Sequence, residues 1–176
     1  MKWTSAPLGA AYVLEPEPIA DERGFFARTW CAEEFASRGL NAKVSQCSVS
    51  FNTRKGTLRG MHYQAEPYAE AKLVRCIAGA IFDVIVDLRR ASPTYCQWFA
   101  IELSSANRKS LYVPEGFAHG FMTLQDNSEV AYQISQSYRP ECARGIRWND
   151  PLFAIKWPIR DPIVSARDRA FADFTR

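Results

Sequence analysis

The sequence predicts an all-β protein, a single barrel made of two sheets with short helical additions at its ends. The segment "AIFDVIVDLR" (residues 80–89) alternates, so its even-numbered residues face one way while Asp83 and Asp87 face the other with two isoleucines. The segments "WFAIELS", "SLYVP", "FMTL" and "VAYQIS" are short, rich in β-branched or aromatic residues, and separated by Gly, Pro, Asn and Ser. Many short strands bounded by turn residues are typical of a sandwich or a barrel.

Helix signals are few and lie outside the strand-rich middle of the chain. The segment "AEEFASRG", around Glu33–Arg38, predicts two helical turns that end at Gly39. Near the C-terminus, "SARDRAF" begins with Ser165 and has Asp168 three residues later, which is the pattern of a capping box. Both helices are therefore predicted at the periphery of a barrel whose mouth can hold one ligand.

Length and composition indicate one globular domain spanning residues 1–176. Hydrophobic residues make up 47% of the chain and charged residues 23%, and the net charge is +3. That charge is too small to predict nucleic-acid binding, and no apolar run approaches the roughly 20 residues that a membrane helix needs. The five cysteines are odd in number and widely spaced, and the N-terminus is unlike a signal peptide, so we expect a cytoplasmic protein.

The sequence does not predict a metal centre. The chain has only two histidines, His62 and His119, and the position two residues after His62 is Gln64 instead of a second histidine. A first-row metal in a small β-barrel typically takes several imidazoles together with carboxylates. No carboxylate is suitably spaced near either histidine, and we therefore expect no bound metal.

General acid–base chemistry fits the residues better. Histidine titrates close enough to neutral pH to act as a base, and it then needs an orienting partner, usually a carboxylate. For His62 the candidate partners are Asp83, Asp87 and Asp168. Plain structural roles remain open alternatives, with His62 as a strand residue and Asp168 as one half of the capping box.

Two further side chains could take part in proton transfer. Tyr132 shares strand parity with Val130 and Ile134, so its ring is predicted to point inward, where a hydroxyl needs a partner. Lys72 begins an otherwise apolar strand, and its ammonium could stabilise an enolate oxygen near the barrel mouth. Alternatively, Tyr132 is plain core and Lys72 extends to water.

Seven segments of the chain together resemble one known family. In chain order they are "DERGFF", "KGTLRGMHYQ", "KLVRCIAGAIFDVIVDLR", "SPTY", "YVPEGFAHGF", "RGIRWNDP" and "VSARD". They resemble the dTDP-4-dehydrorhamnose 3,5-epimerase family of sugar-nucleotide enzymes, from about Leu14 to about Phe174. The resemblance implies a cupin-type jelly-roll β-barrel that forms a homodimer. It also implies a nucleotide-diphosphate sugar as the substrate, without a metal or other cofactor.

The resemblance implies roles for residues at matching positions. His62 matches the catalytic base, and Asp168 matches the carboxylate paired with it. Tyr132 matches the proton donor, and Lys72 matches a lysine near the substrate carbonyl. The positions that match substrate contacts are Arg23, Arg59, His119, Tyr138, whose ring would stack on the nucleobase, and Arg167.

Three places depart from the commonest family pattern. Arg28 stands where a Glu is common, Cys47 and Ser48 lie near a common Gln-x-Asn, and Ala143 lies near another common Glu. All of these positions belong to substrate recognition. The nucleotide, the sugar and the choice between C3, C5 or both therefore stay open.

Strand parity raises a difficulty for Arg59. In a regular strand Arg59 and His62 point to opposite faces, although the resemblance implies that both reach one ligand. We expect a bulge near Gly60, or else a role for Arg59 at the rim or across the dimer.

Three alternative functions remain at this level. The first is a related cupin ketoisomerase. That group favours a His-x-His pair, and Gln64 in place of the second histidine argues against it. A metal-dependent cupin oxygenase would contain stoichiometric iron or manganese. A non-catalytic sugar-nucleotide binding module would show no turnover, so a substitution of His62 would leave activity unchanged at zero.

Overall fold

The computed structural model describes residues 1–175, and Arg176 lies outside the described part. The strands are, in chain order, β1 Lys2–Ser5, β2 Tyr12–Glu15, β3 Ile19–Asp21, β4 Gly24–Phe26, β5 Gln46–Asn52, β6 Thr57–Gln64, β7 Lys72–Ala78, β8 Ala80–Asp87, β9 Trp98–Ser104, β10 Ser110–Val113, β11 Phe117–Thr123, β12 Ser128–Ile134, β13 Ala143–Gly145 and β14 Ile163–Val164. The helices are α1 Ala32–Ala36 and α2 Ala166–Arg169.

Two six-stranded sheets form the body of the molecule. The first has the order β1-β2-β10-β7-β12-β5, and its neighbouring strands are antiparallel. The second has the antiparallel order β13-β6-β11-β8-β9, and β14 joins it parallel to β6. Strands β3 and β4 form a separate hairpin. The all-β prediction is confirmed, and the crossing of the chain between two mainly antiparallel sheets gives the jelly-roll barrel.

Strand β8 shows how the alternating sequence builds two apolar layers. Ile81 and Ile85 enter the core between the sheets, while Val84 and Val86 pack on the other face against the C-terminal segment. The predicted parity of this strand is thus confirmed. Asp83 lies on the inner face with the isoleucines and is fully buried, so a carboxylate stands inside the barrel.

Both predicted helices exist, and both are short. Helix α1 ends at Ala36, two residues before the predicted end, because the main chain from Arg38 to Leu40 turns back onto Phe35 and Ala36. Helix α2 begins after Ser165, whose hydroxyl accepts a hydrogen bond from the Asp168 N–H at 3.1 Å, so the predicted cap is confirmed. Neither helix within residues 1–175 is long and apolar enough to cross a membrane.

Candidate active site

The two histidines are direct neighbours on the inner face of the second sheet. His62 on β6 lies opposite His119 on β11, and on its other side it lies opposite Gly145 on β13. His119 is buried, whereas the side chain of His62 is 40% exposed. The pair therefore runs from the barrel interior, at His119, to a solvent-accessible mouth, at His62.

His62 is held by one carboxylate. Its Nε2 lies 2.8 Å from Oδ1 of Asp168, and Oδ2 of Asp168 accepts a hydrogen bond of 3.2 Å from the Gly60 N–H. Burial opposes the charge on Asp168, but the hydrogen bond from His62, the Gly60 N–H and the nearby Arg167 together hold its pKa below the usual value. Asp168 is therefore ionised at neutral pH and fixes the orientation of the imidazole.

The other two aspartates that the sequence offered to His62 have different partners. Asp83 Oδ1 lies 2.8 Å from Nε2 of His119, so the inner histidine has its own carboxylate. Asp87 accepts hydrogen bonds from Arg89 at 2.8–3.0 Å and from nearby hydroxyls. Only Asp168 reaches His62, which removes the choice that the sequence left open.

An aromatic side chain also borders His62. The ring of Phe171 stands edge to face with the imidazole, with centroids 5.9 Å apart. Gly145 allows this position, because a Cβ there would collide with the Phe171 ring. Sequence reasoning missed Phe171, and its only signal was that it lies three residues after Asp168.

The predicted bulge near Gly60 is present. His62 pairs with His119 and Arg59 pairs with Phe121, so Gly60 and Met61 together oppose the single Gly120. Gly60 has φ 138°, and a Cβ there would stand 2.6 Å from the Cα of Gly120. The extra residue returns Arg59 to the same side as His62.

Arg59 then reaches across to the first sheet. Its Nε donates to Oδ1 of Asn52 on β5 at 2.8 Å, and the guanidinium remains exposed. The charge of Arg59 acts on the hydroxyl of Tyr132 and favours its ionised form. Arg59 therefore lies near Tyr132, and the parity difficulty is resolved within one chain.

Tyr132 points inward from the first sheet, as predicted. On β12 it lies opposite Ser48 of β5 and packs on the core between the sheets. Its hydroxyl is 3.5 Å from Oγ of Ser50, and its ring stands edge to face with His119 at 6.2 Å. Burial raises the pKa of Tyr132, and the charge of Asp83 raises it further, so the phenol is protonated at neutral pH.

Lys72 is held by a carboxylate instead of extending to water. Its Nζ forms an ion pair of 2.9 Å with Oε1 of Glu70, and both side chains are largely buried, at 11% and 13% exposure. By strand parity Lys72 lies on the inner side of β7 with Val74, which is in the core. Sequence reasoning missed Glu70, whose signal was its spacing two residues before Lys72.

A cavity of about 140 Å³ brings several predicted residues together. It is lined by His62, Tyr63, Gln64, Glu70, Tyr138, Ala143, Arg144 and Arg167. One concave surface thus contains the candidate base His62, the predicted substrate contacts Tyr138 and Arg167, and Ala143, which departs from the family pattern. This surface carries two arginines and an exposed tyrosine ring.

Arg23 and two of the departing positions lie elsewhere. Arg23 is on the exposed β3–β4 hairpin, where its guanidinium pairs with Asp21. Arg28 contacts Glu34 at 3.6 Å. Cys47 lies opposite Gln133, so by strand parity its side chain faces away from the inner side that Tyr132 occupies. Cys47, Ser48 and Tyr132 all line a second cavity, of about 350 Å³. By the same parity, the departure at Cys47 does not touch the inner face, whereas Ser48 lies beside Tyr132.

Gln64 serves as a structural link. Its amide NH₂ donates to the carbonyls of Tyr68 at 2.6 Å and Ser137 at 3.2 Å, and its oxygen accepts from the Arg139 N–H at 2.8 Å. These side-chain bonds tie the end of β6 to the loop that follows it and to the loop after β12. Across residues 1–175, no group of three or more His, Cys, Asp or Glu side chains is arranged to hold a metal ion.

The known proteins similar to this chain are sugar epimerases, many of them dTDP-4-dehydrorhamnose 3,5-epimerases. Residues 5–176 match the family model of dTDP-4-dehydrorhamnose 3,5-epimerase. The dTDP-4-dehydrorhamnose 3,5-epimerase of Shigella flexneri is 44% identical over 157 residues, covering 89% of this chain and 86% of the relative. The crystal structure of that enzyme from Elizabethkingia anophelis has a TM-score of 0.96 at 37% identity and covers 99% of this chain and 96% of its own. The Bacillus anthracis structure, with TDP and PPi bound, has a TM-score of 0.94 at 40% identity, with 98% and 99% covered.

The protein is therefore an isomerase, an epimerase of nucleotide-linked 4-keto-6-deoxy sugars built on a cupin-type jelly roll. The chain belongs to the dTDP-4-dehydrorhamnose 3,5-epimerase family. This confirms the resemblance that the seven sequence segments carry, over nearly the whole chain.

Proposed function

We propose that the protein inverts C3 and C5 of a dTDP-linked 4-keto-6-deoxy sugar by removing a proton on one face of the ring and returning one on the other. One observation carries this mechanism. His62 stands on the second sheet and Tyr132 on the first, so a base and an acid face the barrel interior from opposite walls. A sugar ring held between the sheets would present one face to each.

The 4-keto group makes the protons on C3 and C5 acidic. His62 takes one of them, and Asp168 stabilises the imidazolium that forms and keeps the ring in one orientation, as a carboxylate does in a catalytic triad. The support for this step is the 2.8 Å contact between the two side chains, with Asp168 ionised and held by the Gly60 N–H.

The negative charge moves to the carbonyl oxygen as the C–H bond breaks. The Lys72 ammonium stabilises this enolate oxygen, and the step needs no metal. Tyr132 then donates its phenolic proton to the opposite face of the carbon. Its raised pKa supports a role as a donor, because the hydroxyl keeps its proton until the enolate has formed.

The diphosphate and the nucleobase of the substrate occupy the mouth of the barrel. Arg59 and Arg167 bind the diphosphate through their guanidinium donors, and Tyr138 stacks on the thymine. Tyr138 suits this because 54% of its surface is exposed while its main chain is fixed by Gln46. His119 contacts the sugar from inside.

We also propose that the chain acts as one domain in a homodimer. Large apolar side chains are exposed on the outer face of the first sheet, at Val49, Phe51 and Ile77, and on the nearby hairpin, at Ile19 and Phe26. Such a patch marks an interaction surface. The five cysteines are free thiols, which fits a reducing compartment, and we place the protein in the cytoplasm.

The deciding experiment follows deuterium from solvent into the sugar. In D₂O with dTDP-4-keto-6-deoxyglucose, the wild-type protein should place deuterium at C3 and C5. His62→Ala should lower this exchange by about 10³-fold or more, because the base is gone, while the affinity for dTDP stays within about twofold. NMR of the recovered sugar locates the label.

The same experiment addresses the departing positions. Label at one carbon only would contradict inversion at both. Equal exchange with CDP-, GDP- or UDP-linked sugars would contradict the choice of dTDP, and wild-type protein that exchanges no 4-keto sugar nucleotide would end the proposal.

A further inference from the structure

We propose that Glu70 is a positioning residue that holds the Lys72 ammonium beside the cavity of His62, so that it is aimed at the sugar carbonyl. This inference rests on the proposed function, because it takes Lys72 as the group that stabilises the enolate. Glu70 itself lines the cavity that contains His62 and Arg167. It is the one acidic side chain among the residues that line that cavity.

The main chain between the two charges is rigid. Ala71 donates its N–H to Oγ of Ser135 at 2.8 Å, and its carbonyl accepts from the Ser135 N–H at 2.9 Å. Ala71 and Ser135 are both buried. This reciprocal pair fixes the residue between Glu70 and Lys72, so the two flanking side chains keep a defined spacing.

The loop that carries Glu70 is anchored a second time. Gln64 donates to the Tyr68 carbonyl on one side and binds Ser137 and Arg139 on the other. Glu70 therefore sits between two anchored points, Tyr68 and Ala71. A carboxylate placed so firmly is suited to orient a long, flexible lysine.

The ion pair with Glu70 leaves N–H donors of the Lys72 ammonium available to the substrate. An ammonium has three N–H donors, and within the described residues the only ion pair of Lys72 is the one with Glu70. The remaining donors are thus available to a carbonyl oxygen. Without Glu70, a largely buried ammonium would lose its counter-charge, and the diphosphate of the substrate would compete for it.

The test separates Glu70 from Lys72 by a double-mutant cycle. Glu70→Ala should lower kcat for epimerisation by about 10- to 100-fold, with KM and the Kd for dTDP within about twofold, because the loss is confined to enolate stabilisation. Glu70→Gln, which keeps the shape and one acceptor oxygen, should recover part of the rate. In a Lys72→Met background, Glu70→Ala should add less than about twofold.

Each other outcome overturns the inference. Unchanged kcat in Glu70→Ala removes the role of the residue, and an equal loss in the presence and absence of Lys72 shows that Glu70 acts on the substrate directly. If dTDP affinity and thermal stability fall together with kcat in Glu70→Ala, the role of Glu70 is structural. Glu70→Gln keeps the test valid if the alanine variant folds poorly. Glu66→Gln, on the exposed part of the same loop, is the matched control. Wild-type exchange in D₂O shows separately whether the proposed function itself holds.

Discussion

Asp168 combines the two roles that the sequence left as alternatives. Its main-chain N–H donates a hydrogen bond to Ser165, as in a capping box. Its carboxylate, however, contacts His62 and accepts from the Gly60 N–H. The cap places the carboxylate, and the carboxylate orients the imidazole of His62. A motif that predicts a helix start therefore also determines the geometry of the site.

At the residue scale, Tyr132→Phe should separate proton removal from inversion. His62 can still form the enolate, but the opposite face has no donor, so a deuteron returns mainly from the imidazole to the same face. We expect product formation to fall by about 10²- to 10⁴-fold while deuterium still enters recovered substrate. NMR of both sugars measures the two rates.

The control for this substitution is Tyr112→Phe. Burial also raises the pKa of Tyr112, to about 12, but its hydroxyl accepts a hydrogen bond from Asn41 away from the site. Inversion at the wild-type rate in Tyr132→Phe, or loss of exchange and inversion by the same factor, would contradict the role of Tyr132 as donor.

At the element scale, the bulge in β6 depends on one glycine. Gly60→Ala should lower the free energy of unfolding by ~2 kcal/mol or more, because its φ of 138° is unsuited to a side chain and the new Cβ would press on the Gly120 backbone. Affinity for dTDP should also fall, because Arg59 moves with the bulge. Urea unfolding and calorimetric titration measure the two effects.

Gly9→Ala is the control, because nothing lies within 4 Å of a Cβ at that position. A Gly60→Ala protein as stable as wild type, with unchanged dTDP affinity, would show that the bulge does not need glycine.

The end of β8 gives a pH-dependent prediction. Asp87 is buried, which opposes its charge, but hydrogen bonds from Arg89, Ser92 and Thr94 lower its pKa to about 2. Because the folded pKa lies below the unfolded one, the stabilisation is present above about pH 4 and is lost as the pH falls toward 2. Asp87→Asn should therefore cost about 2 kcal/mol of unfolding free energy at pH 7, and this cost should shrink as the pH falls below 4.

Urea unfolding of both proteins from pH 7 to pH 3 measures this difference. A cost that stays constant over the whole range would show that the hydrogen bonds do not depend on the charge of Asp87. Asp21→Asn, an exposed carboxylate paired with Arg23, should unfold like wild type at pH 7.

What the sequence could predict depends on how local the signal is. Strand parity predicted that Tyr132 points inward and that Asp83 shares a face with two isoleucines, and the conflict between Arg59 and His62 predicted a bulge near Gly60 as one solution. The partner of His62 lies 106 residues away, so residue spacing left three aspartates open. Phe171 and Glu70 were missed because each acquires its role only through contacts that the folded chain creates.

At the scale of the whole molecule, Arg23 indicates how two copies could complete one site. The resemblance implies that Arg23 contacts the substrate, but in one chain its guanidinium pairs with Asp21 on an exposed hairpin, apart from the cavity of His62. The same hairpin exposes Ile19 and Phe26. If the hairpin packs on a second copy, each site takes Arg23 from its partner.

Hybrid dimers test this arrangement directly. Arg23→Ala and His62→Ala should each be weakly active as homodimers of about 40 kDa, twice the 20.0 kDa chain mass. After equal amounts are unfolded and refolded together, half of the chains lie in hybrids, and one of the two sites in each hybrid has both residues intact. About a quarter of wild-type activity should therefore return. If Arg23 instead contacts the substrate bound to its own chain, no site in the mixture has both residues, and activity stays at the level of the two single variants. A mass of 20.0 kDa in solution would contradict the dimer itself.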